Sequence, residues 1–143
     1  FIRENYQFRI MIEIFSLKSF GDTVSDAWLA DMRTNHEKCR ISLTDGSPFE
    51  TAHTPFLELD GRMHREIVAS LGNRAILDTH ERLQENIRMA QRVHRRPGFR
   101  GYLVDTVDEH MRVIAALEQR DVAGAIAAME AHFQGSTHRT FAA

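Results

Sequence analysis

The stretch Thr54-Pro-Phe-Leu-Glu-Leu-Asp60-Gly-Arg-Met-His64-Arg-Glu-Ile-Val-Ala-Ser-Leu-Gly72-Asn73 decides how the chain folds. Thr54 can cap a helix, Pro55 suits its first position, and Glu58 meets the positive end of the helix dipole. Gly72 supplies a stop after Leu71, and Asn73 can cap the helix that follows. Between these signals Leu57, Asp60, His64, Ile67 and Leu71 recur at alternating steps of three and four, the rhythm of a helix face turned to a core. Two positions on that face, Asp60 and His64, carry titratable groups where a bundle ordinarily places leucine.

The same rhythm continues on both sides. A first helix is predicted from about Asn5 to Lys18, with almost no polar face, so that its own core or a partner chain must cover it on several sides. A second runs from about Thr23 to Ile41, and Asp45, Gly46, Ser47 and Pro48 mark a loop. Asn73 opens a helix reaching about His94, and Arg96, Pro97, Gly98 and Phe99 break the chain. The last two helices are predicted from about Tyr102 to Glu118 and, capped by Asp121, from Val122 to about Thr137. No strand-like alternation of useful length and no repeat appears. Residues 1–143 therefore read as one domain, an all-α antiparallel bundle of six or seven helices.

Two more histidines join Asp60 and His64. His110 interrupts the stripe Leu103, Val107, Ile114, Leu117, and His132 closes the stripe Val122, Ala125, Met129. A buried polar group without a partner costs roughly 1–3 kcal/mol, and an unpaired carboxylate costs more. Taken singly, each residue could be satisfied by hydrogen bonds, and Asp60 and His64 could bond to each other. Taken together, one acid and three imidazoles from three helices make a donor set for a divalent transition metal: Zn, Ni, Co, Fe or Mn, with zinc the first choice. With neutral rings the set and a doubly charged ion carry about one net positive charge, which suits a small organic acid or hydroxy acid in the remaining positions. Arg9 sits within the apolar first helix and is a candidate to clamp that acid, although Glu13, four residues on, could hold it instead. His80 lies on a stripe with Ile76, Leu83 and Ile87 and reads as core or as a support to the ligands; His36, His53, His94 and His138 read as solvated.

Composition narrows the function. The chain is 43% hydrophobic and 27% charged, ordinary for a globular domain. A net charge of −2 and a pI near 6.5 argue against an autonomous nucleic-acid binder. One cysteine, Cys39, excludes an internal disulfide framework, and the expected compartment is the cytoplasm. No apolar run approaches the ~20 residues of a membrane span. The chain begins at Phe1 without a methionine, which reads as a fragment that has lost a neighbouring domain.

The stretch from Phe56 to Asn73, with Asp60 four residues before His64, resembles a segment of the FCD domain, the effector-binding domain of the FadR subfamily of GntR-type transcription regulators. Glu109-His110, Val113-Ile114-Ala115-Ala116-Leu117, Asp121, Ala125, Met129 and His132 resemble that family's final two helices, and Tyr6 to Glu13 its opening helix. The resemblance implies an FCD-like bundle, metal ligation by Asp60, His64, His110 and His132, a small organic acid near Arg9, and homodimerisation. It also implies DNA binding only through an N-terminal winged helix-turn-helix domain, which this chain does not contain. The reading taken is a non-enzymatic sensor. The alternative is a metal-dependent hydrolase or other metalloenzyme, for which no general base is evident beside the four ligands and only Glu109 stays open. Against it, Gln84 and Arg40 stand where a second His of H-E-x-x-H would follow His80-Glu81 and His36-Glu37, and only Glu50 and His53 form Glu-x-x-His.

Overall fold

Local chemistry explains where the helices start and stop. The computed structural model describes residues 1–93 and 99–141. Six helices follow in order: α1 (Ile2–Thr23), α2 (Asp26–Thr44), α3 (Phe49–Ala69), α4 (Arg74–Val93), α5 (Phe99–Glu118) and α6 (Val122–Phe141). The expected caps form at α4 and α6: Asn73 Oδ1 accepts from the Ile76 amide at 3.0 Å, and Asp121 Oδ1 from the Gly124 amide at 2.9 Å. Gly72 takes the left-handed φ of +65° that ends α3.

Several boundaries differ from the prediction, and α1 runs on through Gly21 and Asp22 to Thr23 instead of ending near Lys18. The cap of α2 is Ser25, whose hydroxyl accepts from the Trp28 amide, so the helix starts later than Thr23. α3 begins at Phe49 and carries Pro55 inside it. The missing amide of Pro55 removes one helix bond, but Phe49 stacks on His53 at 4.6 Å and buried Ala52 packs inward, so tertiary contact extends the helix backward. Phe99 belongs to α5 rather than to a break, while His94, Arg96, Pro97 and Gly98 lie outside the described residues.

α5 packs against α6 and α2, α1 against α6, α4 and α3, and α3 against α2 and α4. Leu17, Met32, Met63, Ile67, Ile114 and Met129 fill the shared core, each such buried side chain contributing about 1.5–3 kcal/mol. α1 is turned the opposite way from a simple amphipathic helix. Arg9, Glu13 and Ser16 face inward beside Tyr6 and Leu17, whereas Phe8, Met11 and Phe15 remain 46%, 67% and 58% exposed. None of the described helices is long and apolar enough to cross a membrane.

Candidate metal centre

The core contains a polar centre to which every helix contributes. α3 supplies Asp60 and His64, α5 His110, and α6 His132. The three imidazoles are buried. His110 Nε2 stands 3.2 Å from both His64 Nε2 and His132 Nε2. Asp60 Oδ1 lies 3.4 Å from His110 Nε2 and 3.6 Å from His64 Nε2.

The surrounding groups determine which ring nitrogens carry protons. Glu13 of α1 accepts from His64 Nδ1, and Glu109 accepts from His132 Nδ1 at 2.7 Å. A carboxylate only accepts, so both rings hold their proton on Nδ1. The third ring is set by a relay. His36 Nδ1 lies 2.7 Å from the Met32 carbonyl, which can only accept, so His36 Nε2 is unprotonated. That nitrogen lies 3.0 Å from His110 Nδ1 and accepts its proton. In their neutral forms all three rings therefore turn bare Nε2 lone pairs toward one point.

Electrostatics favours the neutral forms of His64, His110 and His36. Burial pushes His64 down, against the opposing pull of Glu13. Burial and the neighbouring His132, His64 and His36 hold His110 well below the usual imidazole range. Burial also lowers His36, despite its bond to Met32. For Glu13 burial acts upward, but His64, Arg9 and the hydrogen bonds from His64 and His80 outweigh it and hold the carboxyl well below its ordinary value. Glu109 is likewise raised by burial and lowered more strongly by Arg139 and His132, to about 2.

This arrangement fits a metal ion. Donors about 2.1 Å from one ion stand roughly 3.0 Å apart at octahedral angles and 3.4 Å apart at tetrahedral ones; the contacts of His110 with His64, His132 and Asp60, and of Asp60 with His64, run from 3.2 to 3.6 Å, and the three imidazole donors all lie within 4.8 Å of one another. Three neutral imidazoles and one carboxylate are donor chemistry for late first-row divalent ions. Each imidazole also has the supporting acceptor that orients metal-binding histidines. Asp60 and His132 line a cavity of about 80 Å³ together with Arg9, Gln84, Arg88, Tyr102 and Arg139. At roughly 10–15 Å³ per water-sized position, it admits a compact molecule, not a long chain.

A family model for the FCD domain matches residues 4–135. The chain belongs to the FCD domain family. Among solved structures, the metal-free FCD domain of TM0439, a candidate transcriptional regulator, is similar at a TM-score of 0.78 and 23% identity, over 97% of this chain and 90% of that one. At that identity the likeness shows the shared fold. A search of the curated proteins finds no match.

Of the four residues singled out from the sequence, this FCD domain brings the donor atoms of His64, His110 and His132 within 4.8 Å of one another and sets Asp60 3.4 Å from His110 and 3.6 Å from His64. Arg9 donates from Nε to Glu13 at 2.7 Å and lies 5.1 Å from the Phe133 ring, while its side chain also lines the cavity. Both sequence-based options for Arg9 are thus geometrically available. His80, read as core or as a support, is buried and bonds Glu13 Oε2 at 3.1 Å. His138 is exposed as expected. His36 and His53 are corrections: both are buried, His36 in the relay to His110 and His53 against Phe49. A signal for His36 was present, because Leu29, Met32, His36, Cys39 and Leu43 repeat the same steps of three and four. Arg139 and His132 hold both oxygens of Glu109.

Proposed function

We propose that this FCD domain is the effector-sensing part of a GntR/FadR-type transcription regulator. In this reading Asp60, His64, His110 and His132 hold a divalent transition metal, zinc first among Zn, Ni, Co, Fe and Mn. A small organic acid or hydroxy acid enters the adjoining cavity beside Arg9. The metal, when bound, supplies uncompensated positive charge and open positions for an oxygen ligand. The observation that carries the reading is the convergence of three bare Nε2 lone pairs and Asp60 at the wall of a small cavity.

Regulation then follows from differential affinity. An acid that binds one arrangement of the helices more tightly shifts the population toward it, and with it the geometry of an attached winged helix-turn-helix domain that contacts DNA. We place such a protein in the cytoplasm. The exposed Phe8, Met11 and Phe15 of α1 support a homodimer formed through that helix. A metalloenzyme is disfavoured by the condition of Glu109, whose ion pair and low pKa suit an orienting group better than a base working near neutrality.

The test is elemental analysis and native mass spectrometry of the purified chain, followed by a thermal-shift screen of small carboxylates with the metal present. The expected result is about one divalent ion per protomer, lost in His110→Ala and His132→Ala, and stabilisation by a carboxylate without turnover. Full metal content in both variants would overturn the ligand assignment, and chelator-sensitive turnover would establish the enzyme instead.

A further inference from the structure

The wall of the cavity formed by α4 holds a second polar feature that the metal-binding groups do not use. Gln84 is 8% exposed and lines the cavity, and its Nε2 has no hydrogen-bond partner among the described residues. A buried amide donor left open is costly unless something else accepts from it. One helical turn on, Arg88 lines the same cavity. Its Nη2 donates to the Leu57 carbonyl at 3.0 Å and lies 3.9 Å from Asp60 Oδ2. Gly61 leaves the space that this guanidinium occupies, since a Cβ there would collide with Arg88 Nη2. A guanidinium has five N–H donors, so these contacts leave several for a ligand.

The charges point the same way. Around the cavity and the histidine cluster, the guanidinium groups of Arg9, Arg88 and Arg139 balance the carboxylates of Glu13, Asp60 and Glu109. A divalent ion would add a charge of two to this balance, and a partly buried site makes uncompensated charge expensive. A monocarboxylate would cancel half of it. An acid with two carboxylates would cancel all of it, and the second carboxylate could accept from Gln84 and Arg88.

We infer that the effector is a small dicarboxylate, one end at the metal-binding cluster and the other received by Gln84 Nε2 and the Arg88 guanidinium. The inference rests on the proposed sensing function and adds the class of acid. A hydrogen bond to a charged group corresponds to about tenfold in affinity.

The experiment is calorimetric titration of the zinc-loaded chain with succinate and with butyrate, acids of equal carbon number that differ in the second carboxylate. Succinate is expected to bind at least tenfold more tightly. Gln84→Leu, which keeps the volume and removes the donor, should bring that preference close to unity while zinc stoichiometry and butyrate affinity stay as in the parent. Arg88→Gln provides a second route to the same loss if the first variant folds poorly. Equal binding of the two acids by the parent chain, or a preference that survives both substitutions, overturns the dicarboxylate assignment while leaving an acid sensor intact. Failure of both acids to bind the zinc-loaded chain overturns this inference, and the sensing reading falls with it only if the whole carboxylate screen is also silent.

Discussion

Replacing Glu13 with glutamine separates the support of the site from its donor atoms. Glu13 is fully buried and accepts from three partners: Arg9 Nε at 2.7 Å, His80 Nε2 at 3.1 Å, and His64 Nδ1. Glutamine keeps the size but replaces one accepting oxygen with an NH2 group, so at least one N–H would face another N–H. It also leaves the Arg9 guanidinium, 6% exposed, without its counter-charge. Breaking a buried ion pair in this way costs about 3–5 kcal/mol. For a chain of this size that corresponds to a melting point lower by roughly 10–15 °C. Because Glu13 orients His64, metal affinity should also fall about 10–100-fold. Thermal denaturation of the metal-free protein measures the first effect, and competition with a chelator measures the second. Arg9→Met together with Glu13→Gln should cost clearly less than the sum of the single changes, since no unpaired guanidinium is then left. A melting point within about 3 °C of the parent, with metal affinity within about threefold, would refute the assignment of Glu13 as the anchor of both Arg9 and His64.

Acid should weaken the metal-free domain. Burial lowers His36, His64 and His110 in the folded state, so unfolding takes up protons once the pH falls below about 6.5, and stability falls as pH drops toward the lower folded values, by about 1.4 kcal/mol per unit for each ring. Urea denaturation above and below that pH checks this, and an unchanged midpoint would contradict the neutral rings. Gly135→Ala places a Cβ against Glu109 Oε2 and 2.9 Å from Arg139 Nη1, which should dislodge the group that orients His132 and weaken metal binding about tenfold in a chelator competition. Met11→Lys and Phe15→Lys put charge on the exposed stripe of α1 and should convert a dimer to a folded monomer in sedimentation analysis, with helix content retained.

Which parts of the molecule were legible in the sequence follows from the range of the forces involved. Asn73, Gly72 and Asp121 act within a turn of their own position, and their signals held. The start of α3 was misplaced because Pro55 gave a strong local signal, while the contacts that extend the helix back to Phe49 come from packing. Asp60, His64, His110 and His132 were easy to single out because each interrupts an apolar stripe, and a helix face is a local property. Their supports were less so. The bond from Glu13 to His64 joins two helices 51 residues apart, and that from His36 to His110 spans 74. His36 carried the stripe signal, yet nothing in α2 alone says that its ring meets another histidine.

Under the proposed function, α1 is the helix that ties the histidine cluster to the exposed apolar stripe. Its inner face brings Arg9 and Glu13 to the donor cluster, and its outer face presents Phe8, Met11 and Phe15. These groups lie within two turns of one helix, and a continuous helix moves as a unit over that distance. A fully apolar inner face would pack more cheaply than one carrying a buried ion pair, since buried charges repay their desolvation only with very good partners. The ion pair is intelligible if α1 must hold His64 in place on one side while presenting an interface on the other. Any event at the cluster that changes the partners of Glu13 then bears directly on the helix that carries the exposed stripe. Under the proposed function, this is the route by which a ligand with unequal affinity for two arrangements would act at a distance.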